Sequence, residues 1–177
     1  MATAGYLLVW LGWAIGVVTF VVGCRQLPAS RAARREGGEP FPRAARVVIT
    51  TGSVAVVATL VLPWLRGISS SGSEVIELRG WAALDLWSAV FVVAACVLMP
   101  VLAAGARAEG AAFDLAGVLL CLATCVSLVV VGNLFIRLGE PGPDALFGFG
   151  FAAVATLVPV AGAMSLGDAE RQVAGGG

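Results

Sequence analysis

Five long apolar runs alternate with short polar stretches along this chain: roughly Tyr6–Gly23, Val47–Leu65, Trp81–Ala104, Leu115–Ile136 and Ala145–Leu166. About twenty apolar residues at a rise of about 1.5 Å each cover the ~30 Å hydrocarbon core of a bilayer, so every run is long enough to cross as a helix. In oil an unpaired peptide group is costly, and a helix pairs its own. The pattern predicts an all-α, polytopic integral membrane protein: a bundle of about five transmembrane helices forming one domain over 1–177.

The polar stretches orient the bundle. The stretch 24–46 carries Arg25, Arg31, Arg34, Arg35, Arg43 and Arg46 against Glu36 and Glu39, with Gly37, Gly38, Pro40 and Pro42, and reads as a polar, flexible loop. Six of the eleven arginines lie there. Basic residues beside a span resist translocation, which places the loop in the cytoplasm. The N-terminus, the 66–80 loop and Arg137–Asp144 then fall outside, with Ala106–Asp114 and the flexible tail 167–177 inside. Arg31, Arg34, Arg35 and Arg43 are candidate contacts for anionic lipid headgroups.

Aromatics agree with that orientation, because Trp and Tyr prefer the headgroup level. Tyr6, Trp10, Trp13, Trp64, Trp81 and Trp87 all fall in the outer half, and none is expected on the inner face. The five tryptophans form a candidate partner surface. Val21-Val22-Gly23-Cys24 resembles a lipoprotein cleavage box over those four residues. A signal peptide, however, needs a basic region ahead of a short apolar core, and no Arg or Lys precedes this long one.

Composition then narrows the chemistry. The chain is 59% hydrophobic and 12% charged, about half the charge of an ordinary soluble domain. It has no His, hence no imidazole base and no His-ligated haem, zinc or iron. Nor has it any Lys for a Schiff base or a phosphate loop. No cofactor, metal or nucleic-acid partner is expected. An Ala-, Gly-, Val- and Arg-rich chain without Lys suggests a high-GC bacterial source and a plasma-membrane address.

Asp85 is the polar residue that most needs an explanation, since an acid within an apolar run costs about 2.5–3.5 kcal/mol at mid-bilayer. It can attract a cation or titrate in an outer vestibule, or sit in the first helical turn, where the dipole stabilises it. Asn133 and Arg137, spaced i to i+4 on the fourth run, lie at similar depth. The three form a candidate outer polar cluster, for which interhelical hydrogen bonding is the simpler role.

Cys24, Cys96, Cys121 and Cys125 contain no Cys-x-x-Cys pair and read as reduced packing residues. The pair Gly12 and Gly16, and its counterpart Gly148 and Ala152, have the small-x-x-x-small spacing that lets helices approach closely; intramolecular packing is the expected use. Thr50, Thr51 and Ser53 can bond back to helix carbonyls. Pro100 and Pro159 should kink their helices. After the Ser69–Ser73 stretch, Glu74–Arg79 is a short strand or an interfacial turn.

No catalytic constellation emerges, so the expectation is a non-catalytic accessory or scaffold subunit that binds a membrane partner. The lipid bilayer and a protein partner or second copy are its expected contacts. The alternative is a small proton- or cation-coupled transporter or channel, working as an oligomer with Asp85 as the titrating group.

Overall fold

The computed structural model describes residues 2–35, 43–68, 75–105, 111–139 and 144–175. Five long helices, α1 (Ala2–Arg35), α2 (Arg43–Thr59), α4 (Leu86–Gly105), α5 (Ala111–Leu138) and α6 (Phe147–Gly175), pack side by side. At one end lie the single-turn helix α3 (Gly80–Ala83) and a small antiparallel sheet. The sheet has the order β2-β1-β3, from β1 (Pro63–Ile68), β2 (Val75–Arg79) and β3 (Asp144–Ala145).

The pairs α1–α5 and α2–α6 run antiparallel. Gly5 near the start of α1 meets Gly132 and Ile136 near the end of α5, and Gly12 meets Cys125 and Val129 one to two turns earlier. Likewise Gly52 of α2 faces Pro159 of α6, while Gly148 at the start of α6 faces Pro63 beyond the end of α2. Helix α5 packs against α1, α4 and α6, and burial follows from that place. In the most apolar 18-residue stretch of Leu115–Leu138, 61% of residues are buried, against 22% in that of Thr3–Val22 of α1.

Among the described residues, three helices are long and apolar enough to cross a membrane: Thr3–Val22, Leu86–Ala104 and Leu115–Leu138. Gly150–Met164 of α6 is a shorter apolar helix, and α2 has 17 residues. The outward faces are as greasy as the core. Leu7, Val18, Val54, Val97, Val154 and Leu157 are all exposed, while Ile49, Leu102, Leu122 and Val129 are buried. Soluble monomers rarely expose so much contiguous apolar surface, and this outside is compatible with a membrane location.

Four sequence expectations change. The second apolar run is not one helix, because α2 stops at Thr59 and Pro63–Ile68 is a strand. Pro63 lacks the N–H that would bond the Thr59 carbonyl four residues back. That carbonyl instead accepts from the Leu62 amide at 3.0 Å and from the Trp64 indole N–H at 2.8 Å. The third run is interrupted at Leu84, whose extended backbone (φ −79°, ψ 149°) separates α3 from α4.

The Arg-rich stretch, expected to be loop from Cys24, is helical to Arg35, and the tail expected to be flexible is helical to Gly175. Backbone hydrogen bonding continues along both helices past the apolar segments, since Arg, Ala, Gln and Glu are good helix formers. Residues 36–42 lie outside the described residues. Of the two readings of 74–79, the strand holds for Val75–Arg79, while Glu74 lies outside the described residues. Pro100 and Pro159 sit inside α4 and α6 without ending either helix.

Candidate functional site

The sheet end of the bundle is organised around one tryptophan. Trp64 has no exposed surface, and its indole N–H caps a carbonyl at the end of α2, one of the groups every helix leaves without an internal partner. A Cβ on Gly80 would lie 2.5 Å from the Trp64 ring and 2.8 Å from Leu60 Cα, so glycine is what lets α3 close over it. The Gly80 amide donates to Leu62 O, Trp81 N–H to Leu60 O, and Leu146 N–H to Trp64 O. These bonds tie α2, α3 and the start of α6 together. Trp64 is thus corrected from partner surface to core. The β1–β2 register shifts between Pro63 and Leu65, and the neighbours Trp64 and Leu65 are both fully buried.

Beside this plug, a cavity of about 660 Å³ opens between the start of α1, the α3–α4 break and the end of α5. Tyr6, Val9, Trp10 and Trp13 of α1 form one wall. Asp85 and Trp87 form a second, and Asn133, Ile136 and Arg137 of α5 a third. The three residues of the expected polar cluster therefore share one cavity, although the sequence places them up to 52 positions apart (137 − 85).

Each polar group has a definite attachment. The Asp85 carboxylate accepts the Ser88 backbone N–H at 2.9 Å and the Ser88 hydroxyl at 2.5 Å, the geometry of an N-cap on α4. The Trp13 indole N–H reaches Ser88 Oγ at 3.5 Å, and the Trp13 and Phe91 rings stack tilted with centroids 5.0 Å apart. Arg137 Nε donates to the carbonyl of Ala83 at 3.1 Å, closing the last turn of α3. Asn133 is buried and donates to Val129 O in its own helix. Asp85 and Arg137 thus hold the two helix ends that meet at Leu84. Ser88 was missed from sequence. Its signal is the Asp-x-x-Ser spacing of an N-cap and its third helical residue.

Three of the remaining four tryptophans stay outside. Trp10, Trp81 and Trp87 are 73%, 59% and 70% exposed, and Trp13 is half-buried. Gly12 and Gly16 serve intramolecular packing: a Cβ on Gly12 would come 2.8 Å from Val129 Cγ2, and Gly16 is pressed against the Phe91 ring. Gly148 lies against the Pro63 carbonyl, and Ala152 is buried. Cys96 and Cys125 are buried free thiols and Cys121 is an exposed one, while the Cys24 side chain lies outside the described residues. Arg43 is exposed at the start of α2. The side chains of Arg31, Arg34 and Arg35 lie outside the described residues.

No family model, curated protein or solved structure matches this chain.

Proposed function

We propose that this chain is a multi-span protein of a bacterial plasma membrane that acts as a non-catalytic accessory or scaffold subunit and binds a membrane partner through the sheet end of the bundle. The observation that carries this reading is the division of labour among the tryptophans. One is wholly buried as a plug, while Trp10, Trp81 and Trp87 are left bare at the same end. Exposed indoles on a rigid, hydrogen-bonded base are the residues that most often anchor an interface.

The apolar outward faces of α1, α2, α4 and α6 around the apolar α5 support five crossings, with α2 and α6 passing beside the three longer spans. The arginines of 24–46 then place the N-terminus outside and the C-terminus in the cytoplasm. The capping role of Asp85 weighs against the transport alternative. A carboxylate that holds the first turn of α4 with two hydrogen bonds from Ser88 already has one structural task in the fold.

Co-purification in mild detergent tests the proposal. A defined partner, or a second copy, should accompany the wild-type chain and be lost from a triple Trp10→Ala, Trp81→Ala, Trp87→Ala variant. A chain that always runs alone removes the accessory reading. Flux in reconstituted vesicles that disappears with Asp85→Asn would replace it with the transporter.

A further inference from the structure

We propose that the cavity between α1, the α3–α4 break and α5 binds a phosphate-bearing ammonium zwitterion, the chemistry of a phosphatidylethanolamine or phosphatidylcholine headgroup. The charge balance of the walls points to this class. Asp85 brings one negative group and Arg137 one positive group, beside the neutral amide of Asn133. A simple cation drawn to Asp85 meets the guanidinium, and a simple anion drawn to Arg137 meets the carboxylate. A ligand carrying both charges a few ångströms apart complements both.

The aromatic lining specifies the positive end. Tyr6, Trp10, Trp13 and Trp87 surround the cavity, and the faces of such rings attract alkylated ammonium groups within about 6 Å, Trp most strongly. Two of the lone-pair positions of the Asp85 carboxylate are occupied by Ser88. A carboxylate has about four, and Asp85 remains exposed. The volume, about 660 Å³, lies within the roughly 300–1,000 Å³ typical of small-molecule sites.

The surroundings fit a ligand with acyl chains. Tyr6 and Trp10, which form one rim, are 55% and 73% exposed on the side of the bundle. From that rim an exposed apolar lane, Leu7, Leu11 and Val18, follows one face of α1 at i, i+4 and i+11. Chains attached to a headgroup in the cavity can lie along it. The inference rests on the membrane reading above and is independent of any protein partner.

The full chain in an uncharged maltoside detergent is titrated, by its tryptophan fluorescence, with short-chain phosphatidylcholine, with phosphatidylglycerol of the same chains, with dodecyltrimethylammonium and with soluble glycerophosphocholine. Saturable binding of the phosphatidylcholine, at least about tenfold tighter than the purely anionic or cationic amphiphile, is expected. Asp85→Ser, which keeps a capping oxygen but removes the charge, should weaken binding about tenfold while leaving the melting temperature nearly unchanged, and Arg137→Gln, which keeps a donor for Ala83, should weaken binding about tenfold in the folded protein.

Should either variant fail to fold, Trp87→Leu, a change at an exposed side chain, should weaken binding instead. Tighter binding of the lipid than of glycerophosphocholine assigns the site to the bilayer, and equal binding assigns it to a soluble zwitterion of the same chemistry. Equal affinity for all three amphiphiles, or wild-type affinity in folded Asp85→Ser, overturns the proposal. A chain dispersed in plain buffer overturns the membrane reading itself, which failed lipid binding by a detergent-solubilised chain does not.

Discussion

At the scale of single residues, identical side chains have opposite tasks. Trp64 and Trp81 lie 17 positions apart (81 − 64) in the same polar-flanked region, yet one is fully buried and the other 59% exposed. Trp64→Ala removes a large buried ring and a hydrogen bond to Thr59, and should cost about 3–5 kcal/mol. Trp81→Ala should change stability by less than about 0.5 kcal/mol; thermal unfolding in detergent separates the two. The hydroxyl of Ser53 is buried without a hydrogen-bond partner. An unsatisfied buried polar group costs about 1–3 kcal/mol, so Ser53→Ala is expected to leave the melting temperature unchanged or raise it. By residue type, Thr50, Thr51 and Ser53 can each bond back to the helix. Thr51 does so, to Val47 O, whereas Ser53 does not. Rotamer choice inside a packed face decides this, and residue type alone cannot.

At the scale of elements, the boundaries show which local signals suffice. Helix α5 matches its apolar run because nothing inside Leu115–Ile136 interrupts it. The second run contains Pro63, and the missing amide of that residue ends helical pairing four residues earlier, at Thr59. The third run carries Asp85 and Ser88, which set the start of α4 inside what hydropathy reads as a continuous span. Asp85→Ala should therefore destabilise the protein by about 1 kcal/mol, and Asp85→Ser by only a few tenths. Equal losses in the two variants would show that the negative charge matters to the fold more than the cap. The α1–α5 contact makes a sharper prediction. A Cβ on Gly132 would lie 2.9 Å from the Gly5 carbonyl oxygen and from the Val9 amide nitrogen, all backbone atoms that cannot swing away. Gly132→Val should loosen α1 from α5, seen as faster proteolysis or amide exchange in α1 with α4 unaffected.

At the scale of the whole molecule, the five-crossing proposal predicts an alternation of sides. The sheet end gathers the start of α1, the end of α2, the start of α4, the end of α5 and the start of α6. Membrane-impermeant thiol reagents applied to intact cells should label a cysteine at Ser71 and leave one at Arg43 unlabelled, on a background without the native cysteines. Labelling at Arg43 from outside would reverse the orientation. Among the described residues, the sheet is bound by backbone pairing and an exposed ion pair, Arg66 to Glu77 at 2.8 Å. Pairs of that kind contribute at most about 1 kcal/mol, so Glu77→Gln should have little effect on unfolding, and less still at high salt.

Hydropathy alone determined that the chain is helical and greasy, because the cost of unpaired peptide groups in oil and the length of each apolar run need no knowledge of neighbours. It also determined, through depth, that Asp85, Asn133 and Arg137 lie near one level. Only the tertiary structure decided that they share one cavity, that Asp85 and Arg137 close the two helix ends at Leu84, and which tryptophan is the plug. Those outcomes depend on helix rotation and on close contacts between distant residues, such as Gly80 against Trp64 and Gly12 against Val129. A stretch that is apolar on every side records its own greasiness and carries no mark of which face will meet which neighbour.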